Sequence, residues 1–189
     1  MEYLDIVDEN GIPTGETVSR KEAHERGILH RTAHVWVVRE NGGRIGILLQ
    51  KRSAEKDSFP NMYDTSSAGH IPAGQEPRES ALRELEEELG IRADASELNF
   101  AGKFRIQYEE EFHGRMFRDN EVTWVYVYRE PVEIGKLTLQ ESEVSEVRWF
   151  DPEEVWNEIR SGDRHRFCVP SHGLKVLRDW LAEQGQTER

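Results

Sequence analysis

The 189-residue chain predicts an α/β/α sandwich, because strand-like runs alternate with amphipathic helical stretches in one continuous order. Three observations carry this. Two apolar runs, His34–Val38 and Ile45–Gln50, flank an Asn41-Gly42-Gly43 turn. Leu82, Leu85 and Leu89 recur at helical spacing on one stripe. A run of high β propensity, Val122–Tyr128, then leads towards a strand at 144–150 and two closing helices.

Taken in order, residues 3–8 and 14–18 on either side of Asn10-Gly11-Ile12-Pro13 predict a short hairpin. Ser19, with Glu22 three residues on, starts a helix that Gly27 closes. The two apolar runs follow as core strands. The polar stretch from Ser53 to Ser67, with Pro60, is expected to be a loop. The helix spans about Arg78 to Leu89, with Pro77 suited to its first turn and Gly90 to its end. Strands are expected near 98–108 and 121–129, joined by the mixed-charge connection 109–120. Asp151-Pro152-Glu153-Glu154 marks a further helix start, and Leu174, Leu177 and Leu181 line one face of a last helix at about 171–184.

Length suits a single domain, 1–189: a hairpin and helix to residue 29, a core of 30–150, C-terminal helices over 151–184 and a polar tail of 185–189. The first residues lack a basic start and an apolar stretch, so no secretory signal is expected. No apolar run approaches the roughly 18 residues of a membrane span. A single cysteine, Cys168, permits no internal disulfide, fits a reducing cytoplasm, and is read as a small buried hydrophobe. A formal charge of -12 argues against nonspecific nucleic-acid binding, though not against a small polyanion met through metal ions and local cations. Lys51 and Arg52, at a strand end, are candidate cations, with His70 as a further substrate-binding candidate.

The segment Gly69–Ile91, GHIPAGQEPRESALRELEEELGI, is the most informative part of the chain. Glu84, Glu87 and Glu88 fall within an arc of roughly 100° away from the leucine stripe. Glu84 and Glu88 are like charges at i, i+4, and Glu86, Glu87 and Glu88 crowd a helix C-terminus that disfavours anions. Local rules broken this way point to a site. A divalent cation would reverse both penalties, and clustered carboxylates form the hard oxygen set that holds Mg²⁺ or Mn²⁺.

These residues resemble the Nudix box, G-x5-E-x7-R-E-U-x-E-E-x-G-U, with U a bulky aliphatic residue. Eight of nine specified places match, through Gly69, Arg83, Glu84, Leu85, Glu87, Glu88, Gly90 and Ile91; Gln75 stands where the first Glu is expected. The resemblance implies a mixed sheet between helices and hydrolysis of a nucleoside diphosphate linked to another moiety. It also implies Mg²⁺ or Mn²⁺ held by Glu84, Glu87, Glu88, the backbone carbonyl of Ala68 and a carboxylate from outside the box. Glu121 is the chosen outside residue, Asp119 the next; Arg83 and Glu121 join Glu84 and Glu87 as catalytic candidates. In the family the first box Glu commonly pairs with the residue at Arg83, so Gln75 opens both that pairing and the metal count. Nudix proteins are often dimers, which makes a homodimer an expectation.

A second resemblance points to another reaction. The flanks LLQKRSAEKDSFP and YDTSSAGH, His30 in GILHRTAH and Glu121 in RDNEV are similar to isopentenyl diphosphate isomerase, a Nudix-fold relative that uses a metal held by histidines and glutamates and a cysteine in the segment matching YDTSSAGH. Ser66 or Ser67 stands there instead, and an alcohol is a far weaker acid than a thiol. His24, His30 and His70 are candidates for a second metal site, against capping and packing as the expected uses. A third reading is a diphosphate-binding module without catalysis, supported by Gln75 alone. Trp36, Trp124 and Tyr63 are candidates to stack on a base, with core packing the expected role of each.

Overall fold

The computed structural model describes residues 2–162 and 166–187. A seven-stranded mixed sheet carries the architecture, in the order β5 (Tyr63–Asp64), β4 (Arg44–Arg52), β3 (His30–Asn41), β8 (Arg115–Tyr128), β7 (Leu98–Phe112). In addition β6 (Ser67–His70) pairs with β3, and β9 (Val144–Phe150) with β4. The β3–β8 pair is parallel and the others are antiparallel. Strand alternation divides the core. Ala33, Val35, Val37 and Leu48 pack with Leu85 and Leu89 of α2 (Pro77–Leu89) on one face. Trp36, Val38, Ile47, Leu49, Val125 and Val127 pack with Val155 and Ile159 of α3 (Pro152–Ser161) and Leu174 and Leu177 of α4 (Ser171–Thr187) on the other. The sheet is thus layered between helices, as the sequence predicts.

A smaller unit stands apart from that sheet. β1 (Tyr3–Val7) and β2 (Pro13–Ser19) form the expected hairpin, and α1 (Arg20–Arg26) starts where the Ser19 hydroxyl accepts from the Glu22 amide. Leu4, Val18 and Ala23 make its own small core.

Three expectations need correction. The stretch 53–67 is not all loop, because Tyr63–Asp64 pairs with Gln50–Lys51 and Ser67 begins β6. The connection 109–120 continues the β7–β8 ladder out to Phe112↔Arg115, turning at His113 and Gly114. Backbone pairing is indifferent to the charged side chains there, and Glu109 sits opposite Arg118, 3.5 Å away. The polar tail expected at 185–189 is helical through Thr187, while Glu188 and Arg189 lie outside the described residues.

Candidate active site

A cleft of about 1820 Å³ opens where α2, β6, the lower half of β3, β8, the β7–β8 hairpin and α1 meet. The box helix is placed by its apolar stripe: Ala81, Leu85 and Leu89 are fully buried against the sheet. Its end is fixed by Gly90 at φ 70° and by residues 138–140, whose Thr138 and Gln140 amides donate to the carbonyls of Leu89 and Glu88. Occupied carbonyls leave less of the negative helix end facing the acids.

Gly69 explains the first box position. A Cβ there would fall 2.1 Å from the Glu84 Cδ, so the Glu84 carboxyl occupies the space that a side chain would need. Glu88 is buried deepest. Its Oε2 accepts from Gln50 Nε2 at 3.0 Å and from the Ala68 amide at 3.1 Å. Burial, then the nearby Glu84, pushes its carboxyl up to about 8. Burial also raises Glu84, against the Arg83 guanidinium 2.8 Å away. Glu87, on the exposed side, receives Arg83 Nη1 at 2.9 Å.

Arg83 therefore pairs within its own helix and donates to the His70 carbonyl at 3.4 Å. Gln75 does not meet it. The Gln75 Oε1 accepts from the Ser80 hydroxyl at 3.2 Å, and its carbonyl accepts from Arg31 at 3.1 Å. With a neutral amide in this place, Arg83 pairs with Glu84 and Glu87 while its Nε stays buried without a partner.

Glu121 opens into the same cleft as the box acids, and its immediate neighbours are histidines. Among the described residues, donor atoms within 4.8 Å of one another form two groups, His24/His30/His70 and His30/Asp119/Glu121, and the box acids are in neither. Parallel pairing is the reason: His30 sits opposite Glu121 in the β3–β8 register, and His70 lies opposite Thr32 on β6. α1 delivers His24, held against the hairpin by Arg118 donating to the Glu25 carbonyl and Asn120 to the Gly27 carbonyl. The three histidine rings pack on one another, and His24 stacks on Phe117 with centroids 4.3 Å apart.

The cluster has the chemistry of a cation site. The His30 Nδ1–H donates to the Ile28 carbonyl at 2.8 Å, which turns Nε2 towards Glu121 Oε1, 3.5 Å away. That Nε2, His24 Nδ1 and Asp119 Oδ1 are buried without a hydrogen-bond partner. Burial lowers His24 to about 4 and holds His70 well below its ordinary value, so both imidazoles are neutral and suited to ligation. Burial and then Glu121 push Asp119 up to about 9. Burial acts on Glu121 too, but the close approach of His30 outweighs it and holds the carboxyl below its ordinary value. Thr32 Oγ1 adds a 2.9 Å donor to Glu121.

Other candidates divide. Arg52 lines the cleft, yet its donors hold the adjoining loop through Ser58 and Asp64. Lys51 does not line it and lies 3.9 Å from Glu146. Trp36 is in the core, Tyr63 packs on Phe150 and Phe167, and Trp124 faces a different pocket. The rings that do line the cleft, Phe59, Tyr108, Phe112 and Phe117, were missed, because they sit in segments read as loop or at a strand end. The Ser66 hydroxyl is spent inside the sheet, accepting from the Val37 amide and donating to the Leu48 carbonyl, and Ser67 is fully buried. The Cys168 thiol is pushed well up by burial and is a poor thiolate.

Comparison with known proteins identifies the family. The NUDIX domain family model matches residues 28–169. An uncharacterised Nudix hydrolase of Clostridium acetobutylicum is 46% identical over 76% of this chain and 66% of its own length. Nudix hydrolase 3 of Arabidopsis thaliana is 38% identical over 86% of this chain, which spans only 21% of that larger protein. A crystal structure of a protein from Deinococcus radiodurans shares the fold, with a TM-score of 0.70 and 21% identity over 94% of this chain and 98% of the other. The seven-stranded sheet, the box helix and most of the residues lining the cleft lie inside the matched span, and the chain belongs to the Nudix hydrolase family.

Proposed function

We propose that this chain is a divalent-metal-dependent hydrolase that cleaves the diphosphate linkage of a nucleoside diphosphate derivative or related organic pyrophosphate. One observation carries the reading: Glu84, Glu87 and Glu88 open into the same cleft as Arg52, His70 and Glu121. Glu84, Glu87 and Glu88, with the Ala68 carbonyl, would hold Mg²⁺ or Mn²⁺ beside the phosphates. When bound, the ion neutralises phosphate oxygens and stabilises the charge that builds up in the displacement. Arg83 orients Glu84 and Glu87 by pairing with both. Glu121, its carboxyl held below its ordinary value, accepts the proton of the attacking water. Two further donor groups share His30, namely His24/His30/His70 and His30/Asp119/Glu121, and nitrogen-rich ligation in the first favours Mn²⁺ or a later transition ion over Mg²⁺ there.

The deciding experiment is a screen of diphosphate compounds with Mg²⁺ and Mn²⁺, reading the phosphate species released. Turnover abolished by Glu87→Gln with folding retained supports the reading; no turnover in any combination sinks it and favours the binding module. The proposal includes a cytoplasmic setting, no nucleic-acid or membrane partner, and a homodimer. No helix among the described residues is long and apolar enough to cross a membrane.

The histidine cluster favours a second reading, an isomerase resembling isopentenyl diphosphate isomerase. It needs an acid facing the substrate carbon. Ser66 has no free proton for that role, and Ser67 is fully buried and does not line the cleft, which is why hydrolysis is preferred. Deuterium entering isopentenyl diphosphate from solvent would reverse the preference.

A further inference from the structure

We propose that a second pocket, at the N-terminus of α2 on the face of the sheet opposite Glu121, binds a nucleotide: a flat ring carrying an anionic group. Arg31, Trp124 and Tyr126 alternate along β3 and β8 with Thr32, Thr123 and Val125, so they project to the opposite face from Glu121. There they border a cavity of about 470 Å³, within the range of roughly 300–1,000 Å³ typical of small-molecule sites.

The walls suit a ring. Phe100 and Tyr126 lie with centroids 5.7 Å apart at 61°, Trp124 is their neighbour, and Phe100 is 47% exposed although it is a large apolar side chain on a paired strand. Flat rings are bound by such surfaces through stacking on exposed aromatic faces. One side of Trp124 is already closed: a Cβ on Gly11 would come within 2.1 Å of it.

The floor suits an anion. In a chain of formal charge -12, two arginines line this pocket and a lysine stands over its tryptophan, its Nζ donating to the Asn10 carbonyl. The Arg78 guanidinium lies 5.6 Å from the Tyr126 centroid, the Lys103 ammonium lies 5.0 Å from the Trp124 centroid, and Arg31 lines the pocket. Arg31 is 6% exposed; its Nη2 serves Asp5 and the Gln75 carbonyl, while its Nε is buried with no partner. A buried guanidinium nitrogen with no acceptor is an unfilled recognition element. The thirteen-residue α2 begins at the same place, and its N-cap Glu76 makes no side-chain cap, so the positive helix end is also without one. Glu76, the acid at this rim, offers an acceptor to a ribose hydroxyl or an exocyclic amine. A nucleotide supplies the ring, the anion and those donors together. This does not rest on the hydrolase reading.

The test uses the full chain in EDTA, so that metal-dependent binding in the cleft is silent, with adenosine 5′-monophosphate, adenosine and inorganic phosphate as separate probes. Calorimetry should show saturable binding of the monophosphate, tighter than either fragment, and NMR should show the Trp124 indole N–H moving with the same titration. Phe100→Ala, at an exposed position, should weaken binding by about tenfold, and Lys103→Gln should weaken the monophosphate more than adenosine. Glu88→Gln should leave it unchanged. An unmoved Trp124 signal at millimolar nucleotide, equal binding in Phe100→Ala, or loss of binding in Glu88→Gln would each overturn the proposal. So would phosphate binding as tightly as the monophosphate, or self-association through Phe100 without nucleotide binding.

Discussion

Gly69 shows how a single missing methyl group shapes the cleft. The Glu84 carboxyl lies where an alanine Cβ would be, and backbone on a paired strand cannot retreat. Gly69→Ala is therefore expected to displace Glu84 from the cleft, at about 1–3 kcal/mol of overpacking strain and a fall of roughly 100-fold in kcat/KM. Mg²⁺-dependent rates together with urea unfolding check both; a variant with unchanged rate would show that the Glu84 position is not needed. Gln75 predicts the opposite outcome. Because it meets Ser80 and not Arg83, Gln75→Glu should change kcat/KM by less than about threefold, within the small effects usual away from key contacts. The box pattern made Gly69, Glu84 and Glu88 legible in the sequence, but not the reason for the glycine, since the approach of α2 to β6 is a three-dimensional contact. His34 was not legible at all: buried, it lines the cleft with its Nδ1 unpartnered, and nothing in its neighbours along the chain marks it.

α2 couples site and stability through Glu88. Its carboxyl stands near 8 in the folded metal-free protein against an ordinary 4.5, so the folded state holds a proton that the unfolded chain releases earlier. A raised folded value means that this contribution is full below about 4.5 and is lost as pH rises through about 8. Metal-free protein is thus expected to lose stability across that interval, and Glu88→Gln, which keeps an acceptor for Gln50 and the Ala68 amide, should melt about 5 °C or more above wild type at pH 9. At pH 5 the two should coincide. Scanning calorimetry in EDTA measures it, and Mg²⁺ should narrow the gap at pH 9 by binding the ionised wild type. The helix itself was readable from leucine spacing and Gly90, as were the strands around Asn41-Gly42-Gly43. The long β7–β8 hairpin was not, because Glu109, Glu110 and Glu111 suggest a solvated loop while their backbone pairs regardless.

The N-terminal hairpin is joined to the Nudix core by a buried ion pair, and the same pair reaches the box loop. Asp5 Oδ2 accepts from Arg31 Nη2 at 2.6 Å and from the Gly74 amide at 2.9 Å, while Arg31 also donates to the Gln75 carbonyl. The Ala73 amide donates to the Tyr3 carbonyl beside them, so β1 runs along the loop that leads into α2. The sequence predicted the hairpin but not its seat, because Asp5 and Arg31 are 26 residues apart and neither breaks a local rule. Removing one charge should be costly: Asp5→Ala leaves a buried guanidinium uncompensated and is expected to lose about 3–5 kcal/mol. The double change Asp5→Leu with Arg31→Met tests what the pair does beyond stability. Apolar replacement of both charges should recover much of the loss, since buried pairs contribute little net stability over well-packed apolar residues. It still leaves the Gly74 amide and the Gln75 carbonyl without these partners, so kcat should stay reduced while the unfolding midpoint recovers. If both recover together, the pair is only an anchor for the hairpin; if the midpoint recovers alone, the N-terminal arm positions the loop from which the box helix starts.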